Sequence, residues 1–194
     1  MAVATSAAVR RSGDERGTVA PMDATPDLDW RLTIHPLFRA AGIRQVAYVP
    51  DAGHTALIEA CHADPSMRAI VLTNEAEGMG VLAGAWLGGQ RGAMLMQSSG
   101  VGNCVNALSL TQICRFPFLT LVTMRGEWGE FNSWQVPMGQ GTEAALKGAG
   151  VIVQRCERPE DVVPTVEAAA ALAFDSEVAV AVLLSQRLIG RKRF

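Results

Sequence analysis

The chain has 194 residues, 49% of them hydrophobic and 19% charged, and carries a formal net charge of −2. This is the composition of a globular chain long enough to bury a core without disulfide or metal staples. The near-neutral balance argues against a nucleic acid or an anionic membrane surface recognised by bulk charge.

Residues 1–26 mix Ala, Ser, Gly, Pro and charges without periodicity and are expected to form a flexible tail ahead of one domain spanning 27–194. DWRLTIHPLFRAAGI reads as a helix stopped by Gly42, with Pro36 placed to kink it. A buried strand follows at 45–49, and Pro50-Asp51 turns out of it. The alternation then repeats: helix near 54–62, strand 69–73, helix 75–87, strand 93–97, helix about 102–114, strand 118–123. After a long loop come a helix at 142–147, a strand at 151–153, a helix at 159–174 and a strand at 178–184.

The strands are continuous apolar runs, as expected where helices cover both faces of a parallel sheet. The pattern predicts an α/β fold, an open, doubly wound, mostly parallel six-stranded sheet with helices on both faces. In such sheets ligands sit beyond the carboxyl ends of the strands. Four stretches occupy that place: 50–54, 74–77, 98–103 and 124–141.

No apolar run reaches the roughly 18 residues that a membrane helix needs. Arg10 and Arg11 precede a polar segment rather than a signal core. Cys61, Cys104, Cys114 and Cys156 show neither CxxC nor Cys/His spacing and read as reduced thiols. A soluble, cytoplasmic protein is expected.

Two glutamates open the Gly/Ala-rich helix at 75–87. Asn74 and Glu77 have capping-box spacing, which gives Glu77 a local duty at the helix start. Glu75 is left either to the helix dipole, which favours a first-turn carboxylate by about 0.3–1 kcal/mol, or to chemistry at a cleft. The glycines behind it lower helix propensity and suit close approach of a backbone or ligand.

Next along the chain, MQSSGVGN leads a strand into Gly100-x-Gly102. That resembles a phosphate turn, but no Lys-Ser/Thr follows and a third glycine is missing. A tight loop lining a cofactor with backbone and the Ser98 and Ser99 hydroxyls fits better. Trp128, Phe131 and Trp134 crowd the long loop and suggest a contact surface. His54, just past the first strand, is a candidate acid or base.

Five segments together, YVPD (48–51), TNEAEGMGVLAGAW (73–86), MQSSGVGNCVNAL (96–108), RGE (125–127) and QVPMGQGT (135–142), resemble the pyrimidine-binding (PYR) domain of thiamine diphosphate enzymes. The similarity runs from about residue 32 to 184 and is greatest to the α subunit of sulfopyruvate decarboxylase and to phosphonopyruvate decarboxylase. It implies that Glu75, nine residues before Gly84, is the catalytic glutamate, hydrogen-bonded to N1′ of the cofactor's aminopyrimidine. It also implies that Pro50, Ser98, Ser99, Gly100, Gly102 and Asn103 line the cofactor. Asp51, His54, Arg125, Trp128 and Gln135 are then candidates for the substrate pocket.

The activity implied is thiamine diphosphate-dependent decarboxylation of a 2-oxo acid. No Gly-Asp-Gly motif stands in the chain to hold diphosphate and Mg2+; the one Gly-Asp pair, Gly13-Asp14, lies in the tail. The resemblance therefore implies a partner β subunit with that motif, in an α2β2 or higher hetero-oligomer. The loop also lacks the basic residues that sulfopyruvate decarboxylases tend to carry there, leaving Arg125 beside an aromatic wall. Two alternatives stand beside this reading: a carboligase subunit taking a larger uncharged or aromatic 2-oxo acid, and a non-catalytic nucleotide- or anion-binding module.

Overall fold

The computed structural model describes residues 29–191; the expected tail and the last three residues lie outside the described residues. Helix α1 (Trp30–Ala40) is capped by the Asp29 carboxylate on Arg31 N–H and runs through Pro36 as one element. Then come β1 (Ile43–Tyr48), a 3-10 turn (Ala52–His54), α2 (Thr55–Ala63), β2 (Arg68–Val71), α3 (Glu75–Leu87) and β3 (Arg91–Gln97). Helices α4 (Ser98–Cys104) and α5 (Ser109–Ile113) lead to β4 (Phe118–Thr123). The chain continues through α6 (Val136–Gly148), β5 (Ile152–Cys156), α7 (Pro159–Asp175), β6 (Ala179–Leu184) and α8 (Gln186–Ile189).

The six strands form one sheet of order β2-β1-β3-β4-β6-β5, parallel at every pairing. Successive residues of a strand point to opposite faces, so a strand covered on both sides must be apolar throughout. Strand β6 shows this directly. Val180, Val182 and Leu184 pack with α1, α2 and α7, while Ala179, Ala181 and Leu183 pack with α3, α4 and α6. The order reverses between β1 and β3, which places the crevice of the fold at their carboxyl ends. Among the described residues no helix is long and apolar enough to cross a membrane, and all four cysteines are free.

Two elements differ from expectation. The Gly100-x-Gly102 stretch is no loop: α4 begins directly at the end of β3, and the helix expected at 102–114 is broken into two short ones. Helix α6 starts at Val136 rather than at 142. Pro137 lies in its first turn, where a missing N–H costs nothing. Gly139 is there because an added Cβ would collide with the Arg125 carbonyl. Both residues read as loop in sequence and act as helix starters here.

Candidate active site

Asn74 ends β2's exit and caps α3, its Oδ1 accepting from Ala76 N–H at 2.9 Å. Glu77 accepts from the Thr73 hydroxyl at 2.6 Å and the Thr73 N–H at 2.9 Å. These bonds hold its carboxyl below the ordinary range. Glu77 is thus tied to the helix start as expected, but through Thr73, the residue before the cap, rather than through a capping box with Asn74.

Glu75 turns the other way. It is 6% exposed although it opens a helix. Asn103 of α4 donates from Nδ2 to Glu75 Oε2 at 2.8 Å. Gly100 lies directly beneath: a Cβ there would stand 2.6 Å from Glu75 Cδ. Glu75 Oε1 receives no hydrogen bond from the described residues. One oxygen is therefore fixed and the other left open. The carboxylate also presses on Cys104, whose thiol is pushed up to about 12 by burial and by the Glu75 charge.

A second group gathers at the ends of β1, β3 and β4. Asp51 accepts from Thr123 Oγ1 at 2.7 Å, Gln97 Nε2 at 2.9 Å and Gly53 N–H at 2.9 Å. Burial alone would raise its pKa; the hydrogen bonds from Thr123 and Gln97, with His54 and Gly53 nearby, outweigh that and leave it below 3.8. Ser99 donates to Gln97 Oε1 at 2.9 Å, and Ser98 Oγ accepts from Arg125 N–H at 3.1 Å. Both serine hydroxyls are thus engaged with protein.

The segment after β4 is tightly built. Glu130 takes Arg125 Nε and Nη2 at 2.6 Å each, and also Gly126 N–H, Asn132 N–H and Gln186 Nε2. The Arg125 guanidinium leads these in holding the Glu130 carboxyl down at about 2. Gln186 Oε1 in turn receives Glu127 and Trp128 N–H at 2.9 Å each.

The remaining expected residues are placed less favourably. His54 is correctly adjacent to Asp51 but faces inward, with Nε2 3.3 Å from Met96 O and 3.2 Å from Leu121 O. Burial holds its pKa below 6.5, against the Asp51 charge. A neutral imidazole donating to two main-chain carbonyls is a support for the turn, not a pocket acid, and this corrects its expected place. Gly102 faces Met138 of α6, not Glu75. Pro50 borders a shallow hollow with Tyr48 and Thr55. Trp128 lies on the surface against Arg187, and Gln135 is buried with Oε1 unpaired among the described residues. Asp51 and Arg125 do converge, on a cavity of about 190 Å³. Sequence reading missed Gln97 and Thr123, although a polar residue closing an apolar parallel strand is a usable signal. It missed Glu130 and Gln186 too, for which no spacing gives a clue.

Sheet order, helices on both faces and a buried glutamate at the start of α3 define a domain of the PYR type found in thiamine diphosphate enzymes. The fold matches part of the 2-oxoglutarate:ferredoxin oxidoreductase of Magnetococcus marinus, with a TM-score of 0.64 over 81% of this chain and 29% of that one, at 13% identity. No family model matches the chain. Sulfopyruvate decarboxylase subunit alpha of Methanococcus maripaludis is 35% identical over 145 residues, covering 74% of this chain and 87% of that subunit. Phosphonopyruvate decarboxylase of Streptomyces viridochromogenes is 43% identical over 90 residues, 46% of this chain but 23% of that longer protein. The chain belongs to the family of sulfopyruvate decarboxylase α subunits, a family of decarboxylase subunits.

Proposed function

We propose that this chain is the pyrimidine-binding subunit of a two-subunit, thiamine diphosphate-dependent 2-oxo acid decarboxylase. The observation that carries the reading is Glu75. A shielded carboxylate with one oxygen tied to Asn103 and the other open fits a ring nitrogen that must share a proton. Because Asn103 donates to Oε2, a proton held by Glu75 belongs on Oε1, the open oxygen. Gly100 keeps that oxygen in place by offering no side chain of its own. The bound cofactor supplies the electron sink that takes the pair left when carbon dioxide departs. What this chain contributes is orientation, exclusion of water and a proton held at a defined atom.

A second subunit carrying the Gly-Asp-Gly motif would hold the diphosphate and Mg2+, in an α2β2 or larger assembly. The α-subunit name of the relatives supports a partner. So does the small share of three longer decarboxylases that the match covers, 21–23%, one from Methanosarcina acetivorans and two from Streptomyces.

The test is a calorimetric titration of thiamine diphosphate with Mg2+ into the chain alone and mixed with the candidate β subunit, then turnover of 2-oxo acids by the mixture. Binding is expected in the mixture. Glu75→Gln should assemble normally yet lose turnover by at least about 100-fold, the usual scale for a positioned acid–base group. Near-wild-type turnover of that variant would refute the proposal.

A further inference from the structure

The cavity where Asp51 and Arg125 converge has three arginines on its wall: Arg31 from α1, Arg125 after β4 and Arg191 after α8. They are not equivalent. Arg125 is largely committed, since its Nε and Nη2 both donate to Glu130 in a pair whose side chains are 9% and 3% exposed. Asp51 is ionised but saturated, with Thr123, Gln97 and Gly53 all donating to it.

Arg31 and Arg191 are the available charges. Arg31 pairs with Asp29 at the surface, both side chains well exposed at 39% and 45%, a kind of pair worth little in water. Its Nη2 also donates to Ile189 O at 3.5 Å, and its guanidinium lies 4.9 Å from the centre of the Trp30 ring. Arg191 makes no ion pair or side-chain hydrogen bond among the described residues. A weakly held, exposed guanidinium and an unpaired one on the wall of one small cavity, at the carboxyl edge of a parallel sheet, suit a terminal oxyanion.

We propose that Arg31 and Arg191 form the subsite for a second acidic group of the substrate, an oxyanion such as a sulfonate at the end distal to the 2-oxo acid. This rests on the decarboxylase reading and deepens it. Arg125, the cation that sequence points to, is then a scaffold: with Glu130 it shapes the segment after β4 and leaves anion recognition to residues from α1 and the end of the chain.

The test begins with the full chain alone and two probes, sulfoacetate and acetate, which differ by one sulfonate. Wild type is expected to bind sulfoacetate in preference to acetate. Arg31→Ala and Arg191→Ala should each weaken that binding by about 10- to 100-fold, the loss of charge-assisted hydrogen bonds. Arg44→Ala, an exposed cation on β1, should leave it unchanged and so separates a subsite from general charge. In the assembled enzyme, Arg31→Ala should raise KM for 3-sulfopyruvate by a similar factor while KM and kcat for pyruvate stay as they were. Equal binding of the two probes by wild type, or of sulfoacetate by wild type and both variants, overturns the subsite. Loss of all decarboxylation in the assembled wild type would instead sink the decarboxylase reading, and the probe binding would still report on the cavity.

Discussion

Gly100→Ala is the sharpest probe of the glutamate site. The new Cβ would stand 2.6 Å from Glu75 Cδ and 2.7 Å from Cγ, and closer still to Oε1, where ordinary contacts begin at 3.4 Å. The carboxylate must retreat by at least about 0.8 Å, since the obstacle is backbone-fixed and Glu75 is the flexible partner. That shift breaks the Asn103 hydrogen bond, a loss of about 1.5–3 kcal/mol for a bond to a charged group. Replacing a helical glycine by alanine returns up to ~1 kcal/mol of propensity. The net cost of about 0.5–2 kcal/mol lowers Tm by only a few degrees in a chain of this length. Catalysis is hit harder, because an ångström of misplacement costs on the order of 100-fold in rate. A thermal melt of the chain and a turnover assay of the assembled enzyme read the two effects separately. Gly102→Ala is the control, as it meets only the flexible end of Met138. Full turnover by Gly100→Ala would refute the claim that this glycine seats the proposed catalytic carboxylate.

Two other outcomes follow from the same geometry. Glu130 is held down at about 2 against an ordinary 4.5, so its contribution to stability is complete above about pH 4.5 and is lost as pH falls toward 2. Glu130→Gln should flatten the dependence of Tm on pH across that window; an unchanged acid limb would show that the Arg125 pair does not carry it. Gly84→Ala should raise Tm of the isolated chain by about 2–4 °C, because an added Cβ meets nothing within 4 Å and gains about 1 kcal/mol of helix propensity. The same change should weaken assembly with the second subunit, measured by sedimentation of the mixture; a variant that is stabler and still assembles normally would remove α3 from the interface.

The sheet was legible because burial on both faces leaves a signature in composition: β6 is apolar from end to end, and the middle of β3 and most of β4 are apolar too. Glu75 was legible by subtraction, once Glu77 was given to the helix start. The environment of Glu75 was only half legible. Asn103 is 28 residues away and comes beside it through the β3–α4 junction, where Gly100 looked like a loop signal. A glycine is ambiguous in sequence between a turn, which needs its backbone freedom, and a close approach, which needs its missing side chain. At Gly100 and Gly139 the second reason applies, and both elements were therefore drawn too short. The surroundings of His54 and Arg125 were illegible for a different reason. Their residue types allow chemistry, but which way a side chain points depends on carbonyls and carboxylates brought up by distant strands and by a non-periodic segment.

The glycines of α3 separate the same two reasons within one helix. Gly78 faces inward, where a Cβ would press within 2.7 Å of Met94 Sδ, so its smallness is explained inside the chain. Gly80 and Gly84 are on the open side with nothing within 4 Å. Each costs the helix up to ~1 kcal/mol relative to alanine and gains no contact in return. Leu87 continues that side at 87% exposed, and Ile113 of α5 is 77% exposed. A helix that starts with the proposed catalytic carboxylate and continues with uncompensated glycines is poorly optimised as the surface of a solitary protein. It is well suited to lie against another backbone, and that is the physical reason for placing the second subunit along α3, beside Glu75.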